Sequence, residues 1–197
     1  MRIGITGGIG SGKSFVCRKI SEKGFPVYDC DAEAKKLMCS HPAIRQELIA
    51  LLGESVYAHE GDVWLLNKPL VANYLFAQPE HAEKINQIVH PRVREHFQHW
   101  AQQQTASLCF MESAILFQSH FETEVDEVVW VQSPTRLRLQ RTMERDHSTR
   151  EKVLARMRSQ HIDKQMLQGC HIIYNDNTHN LDQQIETLIQ QLTTKNS

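Results

Sequence analysis

The sequence predicts an α/β fold with a three-layer α/β/α core, in which a parallel sheet lies between helices. Strand-like and helix-like segments alternate over much of the 197 residues, which is typical of βαβ units. The first unit contains a glycine-rich segment, residues 7–14, between a short apolar run and a segment with helical spacing. This segment matches G-x-x-x-x-G-K-[ST] at every fixed position. A chain of this length fits one core with a smaller appended region.

The glycine-rich segment is predicted to cradle phosphate groups. Its glycines permit positive φ angles, so that successive backbone N–H groups point toward one site at the N-terminus of a helix. In this pattern Lys13 reaches the β- and γ-phosphates, and the Ser14 hydroxyl ligates Mg²⁺. We therefore expect the chain to bind a nucleoside triphosphate together with Mg²⁺. The residues of the loop expected to hold it are Gly8, Ile9, Gly10, Ser11, Gly12, Lys13 and Ser14.

Five short apolar runs are predicted to form the strands of the sheet. They span residues 3–6, 26–28, 108–111, 125–131 and 171–174. Between the second and third runs, from residue 41 to 104, apolar residues recur only at helical spacing, so an all-helical insertion is expected there. Such an insertion beside a phosphate loop indicates a domain for a second substrate. An amphipathic helix that includes Leu181 and Leu192 is expected to pack on the sheet.

Composition narrows the classes of partner. With 22 basic and 23 acidic residues the net charge is −1, which gives no reason to expect nucleic acid or an anionic membrane. No apolar run reaches the ~20 residues of a membrane span, and the chain starts directly with its first strand. The five scattered cysteines are expected to be free thiols. We expect a cytoplasmic protein that binds small anionic ligands, as a monomer or weak homo-oligomer.

Two arginine-rich helices are predicted after the fourth strand. Ser133 is expected to cap the first, with Pro134 at its first position, and Ser148 to open the second through a capping box. The spacing i, i+3, i+7 places three arginines on one face of the first helix. These residues are Arg138, Arg141 and Arg145.

This cluster of guanidinium groups suits phosphoryl transfer. Negative charge spreads over the oxygens of the transferred group, so cations fixed around it stabilise the transition state. The alternative is a solvated helix face whose arginines pair with Glu144 or Asp146.

Carboxylates follow the second and third predicted strands. Asp29 and Asp31 stand at the carboxyl end of the second strand, where ligands bind in open α/β sheets, and either could accept the proton of a substrate hydroxyl. Asp31 could instead only cap the next helix. Glu112 ends the third strand and could hold Mg²⁺, or it could be a plain strand-end carboxylate. His90 precedes Pro91, which is expected to begin a helix, and His90 could be structural or contact substrate.

Other classes of phosphate-loop protein are disfavoured. A guanine-specific switch would contain N-K-x-D, but Asn67-Lys68 is followed by Pro69-Leu70, with leucine in place of the carboxylate. The sequence contains no L-S-G-G-Q signature of a transport ATPase. Transfer chemistry is favoured, and a regulatory protein that uses ATP occupancy as a switch is the alternative from a different class.

Together these motifs resemble dephospho-CoA kinases. Residues 6–14, 27–31, 90–91 and 140–146 occur in the family's order and at about its spacing. The resemblance implies that the chain transfers the γ-phosphoryl group of ATP to the ribose 3′-hydroxyl of dephospho-CoA, the last step of CoA biosynthesis. A nucleoside or nucleoside-monophosphate kinase of the same architecture is the alternative.

The resemblance also implies three regions. A P-loop kinase core would comprise residues 1–40, 106–133 and 169–197. A helical substrate-binding domain for CoA would comprise residues 41–105, and an arginine-rich helical lid residues 134–168.

Roles follow from the resemblance, position by position. Asp31 matches the proposed general base, and Asp31 or Glu112 could also hold Mg²⁺ through water. Arg141 matches the lid arginine that faces the phosphates and adenine of ATP, whereas Arg138 lies outside the matching segment and is expected to matter little. The other residues that the resemblance implicates are Arg145 and Asn175 for ATP, and Thr6, Asp29, Lys68 and His90 for the acceptor substrate.

The chain departs from the family's pattern at several positions. Phe15 replaces the threonine after Ser14, so a hydroxyl contact is absent, although its backbone N–H is still expected to bind phosphate. Gln118 replaces an acid, and Cys170-His171 stands where an aspartate usually precedes the last strand. Lys68 replaces an arginine and can reproduce its substrate contact only in part.

Overall fold

The computed structural model describes residues 1–61, 63–160 and 164–196. The chain divides into two compact units, Met1–Asp29 with Ala101–Ser197, and Cys30–Trp100. None of the described helices is long and apolar enough to cross a membrane. The elements follow in the order β1 (Arg2–Gly7), α1 (Lys13–Glu22), β2 (Val27–Asp29), α2 (Cys30–Ser40), α3 (Pro42–Leu52), β3 (Tyr57–Glu60), β4 (Val63–Leu66), α4 (Lys68–Ala77), α5 (Pro79–Gln102), β5 (Cys109–Glu112), β6 (Glu127–Gln132), α6 (Thr135–Asp146), α7 (Arg150–Ser159), β7 (His171–Tyr174) and α8 (Leu181–Lys195).

The first unit contains a five-stranded parallel sheet in the order β2-β5-β1-β6-β7. The central strand β1 is apolar along its length because both of its neighbours are strands and both of its faces are covered; Ile3 and Ile5 are fully buried. In register, Glu112 lies opposite Ile5 on one side and Asp29 on the other. The phosphate loop and these two carboxylates therefore lie at the same edge of the sheet.

Helices α1 and α8 cover one face of the sheet. Val16 and Ile20 of α1, and Ile185 and Leu192 of α8, are buried in one apolar cluster with β1, β5, β6 and β7. The segment after β5 covers the other face, where Leu116 approaches so closely that a β-carbon at Gly4 would lie 3.2 Å from its methyl groups. The predicted α/β class and all five predicted strands are confirmed.

The second unit is not all-helical. Strands β3 and β4 form an antiparallel hairpin, so the prediction of only helices from residue 41 to 104 is wrong at these positions. The rings of His59 and Trp64 are paired across the hairpin, with centroids 3.8 Å apart. The guanidinium of Arg45 stacks on Trp64 at 4.4 Å from the ring centroid. The hairpin was missed because only Tyr57 of β3 is buried, so this strand lacks the apolar run by which the strands of the sheet were predicted.

Three predicted helix starts are displaced. The N-cap position of α6 is Pro134 rather than Ser133, and no side chain makes a capping hydrogen bond there. The N-cap residue of α7 is Thr149 rather than Ser148, and its side chain accepts a hydrogen bond from the N–H of Lys152. Pro91 does not begin a helix but lies inside α5. This 24-residue helix is amphipathic on both sides of the proline, and Val89 and Val93 are both buried. The burial of this apolar face outweighs the local cost of the proline.

We expect Pro91→Ala to raise the free energy of unfolding by about 1–3 kcal/mol, because alanine restores a backbone N–H donor and removes the clash of the proline ring. Thermal and urea unfolding measure the change. Glu95→Ala, at an exposed position of the same helix, is the control and should change stability by less than ~0.5 kcal/mol. A lower melting temperature for Pro91→Ala would mean that the packing of α5 requires the proline.

Candidate active site

The phosphate loop joins β1 to α1 and depends on left-handed backbone at two glycines. Gly10 has φ 75° and Gly12 has φ 89°, angles that cost little for glycine alone. A tight turn forms where the N–H of Ser11 donates to the carbonyl of Gly8 at 3.0 Å. Helix α1 begins at Lys13, directly after Gly12. The loop therefore places backbone N–H groups beside a helix N-terminus, as the sequence predicts.

Lys13 and Ser14 both have hydrogen-bond partners within the protein. Lys13 Nζ donates to the carbonyl of Gly7 at 3.0 Å. Ser14 Oγ donates to Glu112 Oε1 at 2.7 Å, so the end of β5 is tied to the first turn of α1. Glu112 thus lies where the sequence analysis expects a magnesium-holding carboxylate.

The environment of Glu112 favours a nearby cation. Burial raises the pKa of its carboxyl, and the neighbouring carboxylate of Asp29 raises that pKa further, while the hydrogen bond from Ser14 opposes the shift. Serine hydroxyl and carboxylate oxygens are ligands that Mg²⁺ accepts, usually together with substrate phosphates and water. The donor set at Ser14 and Glu112 therefore fits Mg²⁺. The described residues include no group of three or more His, Cys, Asp and Glu that could hold a metal without a substrate.

Arg141 is held by the segment that follows β7. Its guanidinium donates to the carbonyl of Asn175 at 3.0 Å, to Asn177 Oδ1 at 2.9 Å and to Ser133 Oγ at 3.2 Å. Asn175 in turn donates through Nδ2 to the carbonyl of Ser11 at 2.8 Å. The structure thus brings together Arg141 and Asn175, both named from the sequence, and adds Asn177, which was missed.

The other two arginines of this face have different surroundings. Arg138 Nε donates to the carbonyl of Ile9 at 2.9 Å, and burial lowers its pKa. Arg138 thus contacts the loop although it lies outside the segment that matches the family, and its expected small effect on kcat stays a prediction. Arg145 pairs with Asp146 at 2.7 Å, as in the solvated-face alternative, and Asp146 also pairs with Arg156 at 2.6 Å.

A cavity of about 220 Å³ lies between the loop and two arginines of α6. It is lined by Gly10, Gly12, Lys13, Ser14, Arg141 and Arg145. A larger cavity of about 400 Å³ between β7 and α8 is lined by none of the candidate catalytic or binding residues. The smaller cavity is therefore the candidate phosphate site.

Gln160, the residue after α7, is a contact of the loop that sequence reasoning missed. Its Oε1 accepts the N–H of Ile9 at 2.8 Å, and its Nε2 donates to the carbonyl of Ala114 at 3.2 Å. A glutamine 151 positions from its partner gives no local sequence signal, because nothing in the spacing reports the contact. The predicted role of Ile9 in binding phosphate is not tested, but its N–H already has this partner.

Thr6 and Phe15 flank the loop. Thr6 is buried in β1. Phe15 N–H lies 3.1 Å from the carbonyl of Gly12 at the start of α1, and its ring is 41% exposed. The cationic groups of Arg18 and Lys19 lie 5.3 Å and 5.4 Å from the ring centroid.

The remaining predicted acceptor-site residues belong to the second unit. Asp31 lies in the first turn of α2, which begins at Cys30, so the alternative that Asp31 caps this helix is wrong. Lys68 is the exposed first residue of α4, after the capping Asn67. His90 is half-buried inside α5, and burial lowers its pKa. Their roles toward a substrate stay predictions.

Comparison of the sequence with known proteins identifies a single family that matches most of the chain. The family model described as dephospho-CoA kinase matches residues 1–182. A dephospho-CoA kinase of Bacteroides fragilis is 44% identical over 191 residues, which cover 96% of this chain and 91% of that protein. One of Porphyromonas gingivalis is 38% identical, covering 98% and 95%.

Solved structures agree in fold. A Thermus thermophilus protein superposes with a TM-score of 0.78 at 31% identity, covering 99% of this chain and 97% of that one. The dephospho-CoA kinase of Campylobacter jejuni superposes with a TM-score of 0.69 at 22% identity, covering 100% and 98%. With the family model matching most of the chain and a phosphate loop in place, this chain belongs to the dephospho-CoA kinase family of ATP-dependent kinases.

Proposed function

We propose that this chain transfers the γ-phosphoryl group of ATP to the ribose 3′-hydroxyl of dephospho-CoA, which gives CoA and ADP. The observation that carries the proposal is that the phosphate loop and Arg141 line one cavity, so that anion-binding N–H groups and a cation meet where a phosphoryl group would be transferred. The family match over residues 1–182 supports dephospho-CoA as the acceptor.

ATP is proposed to bind through the loop and α6. Lys13 would leave the carbonyl of Gly7, 3.0 Å away, for a phosphate oxygen, because a hydrogen bond between two charged groups is stronger than one to a neutral carbonyl. Ser14 and Glu112 would hold Mg²⁺, which would neutralise negative charge on the phosphates. Arg141 would stabilise the charge that develops on the γ-phosphoryl group.

The 3′-hydroxyl of dephospho-CoA is proposed to bind near the carboxyl end of β2. Asp31 would take the proton from the 3′-hydroxyl as its oxygen bonds to the γ-phosphorus and ADP leaves. Asp29, which pairs in register with Glu112, would help to order substrate or metal. We assign residues 41–105, with Lys68 and His90, to the binding of the CoA moiety, and Thr6 to the acceptor.

Residues 134–168 are proposed to form the lid. Arg141 and Arg145 from this lid, together with Asn175 after β7, are proposed to bind ATP. Residues 161–163 of this range lie outside the described residues. The cytoplasmic location and the monomeric or weakly associated state stay predictions.

The acceptor assignment is tested by ADP release with dephospho-CoA, AMP, CMP and adenosine. We expect kcat/KM for dephospho-CoA to be higher by roughly 10²-fold or more, since binding energy from the rest of the substrate is realised in the transition state. ATP without acceptor is the control. A preference for AMP would support the nucleoside-monophosphate kinase instead, and hydrolysis that no acceptor accelerates would support the regulatory protein.

Lys13→Met and Asp31→Asn separate binding from chemistry. Lys13→Met should weaken ATP binding and abolish transfer, whereas Asp31→Asn should leave ATP affinity nearly unchanged and lower kcat by ~10²–10⁴, the usual contribution of a positioned base. Isothermal titration with an ATP analogue and steady-state kinetics measure the two effects. Glu33→Gln, which removes another carboxylate from the first turn of α2, should change kcat less than threefold. A change in KM alone for Asp31→Asn would exclude the base.

Arg141→Ala should lower kcat by ~10³-fold or more, because it removes charge stabilisation that is specific to the transition state. Arg141→Lys should recover little of it, since an ammonium group lacks the planar fork. Arg136→Ala, at an exposed position of the same helix, should leave kcat within twofold. Melting temperatures are measured in parallel because Arg141 also binds Asn175 and Asn177; a loss of kcat that only follows a loss of stability would contradict the catalytic role.

A further inference from the structure

Both main-chain polar groups of Ile9, the third residue of the phosphate loop, are held by side chains from the lid. The carbonyl oxygen accepts from Arg138 Nε at 2.9 Å, and the N–H donates to Gln160 Oε1 at 2.8 Å. These partners are 129 and 151 positions away in the sequence. The orientation of the Ile9–Gly10 peptide is therefore set by α6, and that of the Gly8–Ile9 peptide by the residue after α7.

Gln160 also binds a second segment of the site. Its Nε2 donates to the carbonyl of Ala114 at 3.2 Å, and Ala114 stands two residues after Glu112 at the end of β5. One side-chain amide thus bridges the phosphate loop and the chain that follows the proposed magnesium carboxylate. The bridge needs an acceptor and a donor at the end of one side chain of this length, and a glutamine amide supplies both.

We propose that Gln160 is a positioning residue for phosphoryl transfer, which fixes the Gly8–Ile9 peptide and with it the turn of the loop when α7 lies against it. This inference rests on the proposed function. Gln160 acts through Ile9 and Ala114, not on the reacting atoms. The N–H groups of Gly12 to Ser14 and the Nζ of Lys13 do not depend on it, so ground-state binding of ATP changes little when it is removed. Alignment of the γ-phosphoryl group, which governs kcat, depends on the shape of the whole loop.

The test compares Gln160→Met, which keeps the length of the side chain and removes both hydrogen bonds, with Gln140→Met as the matched control. Gln140 lies on the exposed side of α6, where its described bond is to Glu144 one turn away at 2.9 Å. We expect Gln160→Met to lower kcat about tenfold or more, with KM for ATP and dephospho-CoA within threefold of the original values, while Gln140→Met leaves kcat within twofold. The free energy of two neutral hydrogen bonds corresponds to a change in rate of about this size.

A second measurement follows the Ile9 amide directly. Its hydrogen exchange, read by NMR in the ligand-free protein, should speed up in Gln160→Met and stay unchanged in Gln140→Met, because only the first variant removes its acceptor. If Gln160→Met lowers the melting temperature by more than about 5 °C, Gln160→Asn replaces it. Asparagine keeps the amide but is one methylene too short to span Ile9 and Ala114. It should therefore also lower kcat while leaving KM for ATP and dephospho-CoA nearly unchanged.

Unchanged exchange at Ile9, or a kcat equal to that of the control, would overturn the proposal. A rise in KM for ATP without a fall in kcat would also overturn it, since Gln160 would then serve binding. If the unsubstituted protein does not phosphorylate dephospho-CoA, the proposed function fails; exchange at the Ile9 amide still decides whether Gln160 holds the loop.

Discussion

The phosphate loop lies against α6 and the segment after β7 with no room for side chains at its glycines, and the architecture of the first unit depends on this close approach. A β-carbon at Gly10 would overlap the carbonyl oxygen of Arg138 and the hydroxyl of Thr142, and one at Gly12 would overlap the side-chain amide of Asn175. Glycine is required here both by the left-handed φ angles and by contact. The loop and its neighbours therefore hold one another in place, so parts of the chain more than a hundred residues apart form one site.

The carboxylates at the sheet edge create an electrostatic requirement next to this loop. Asp29 and Glu112 are neighbours across β2 and β5, and burial together with this like charge raises the pKa of Glu112. Two acids beside a binding site for an anionic triphosphate repel both each other and the ligand. A divalent cation bound there would remove both conflicts, because it would be attracted to the carboxylates and to the phosphates. Because the pKa of Glu112 is raised, a proton would compete with such a cation for Glu112 as the pH falls.

Features that depend on neighbouring residues could be predicted from the sequence, whereas contacts between distant segments could not. The five strands and the loop are local patterns of hydrophobicity and glycine, and they were predicted within one or two residues. The β3–β4 hairpin was missed because β3 has one buried residue, Tyr57, and so lacks such a pattern of hydrophobicity. Arg141 and Asn175 were found through a family resemblance, while the contacts of Arg138, Gln160 and Asn177 depend on packing between distant segments that no spacing encodes. Pro91 was misplaced because a helix can tolerate a proline when its apolar face is buried on both sides.

The two arginines that line the cavity differ in how much of their charge is available to a ligand. The described partners of Arg141 are a hydroxyl, a carbonyl and an amide oxygen, all neutral. Arg145 is paired with the carboxylate of Asp146, whose pKa is held well below its usual range by the hydrogen bonds from Arg145 and Arg156. Because neutral partners leave a guanidinium's charge uncompensated, Arg141 offers an incoming triphosphate a cation already oriented in the cavity. Arg145 must first give up an ionised partner, although Asp146 would keep Arg156. Of the two arginines that line the cavity, Arg141 is therefore the one whose charge its described partners compensate less.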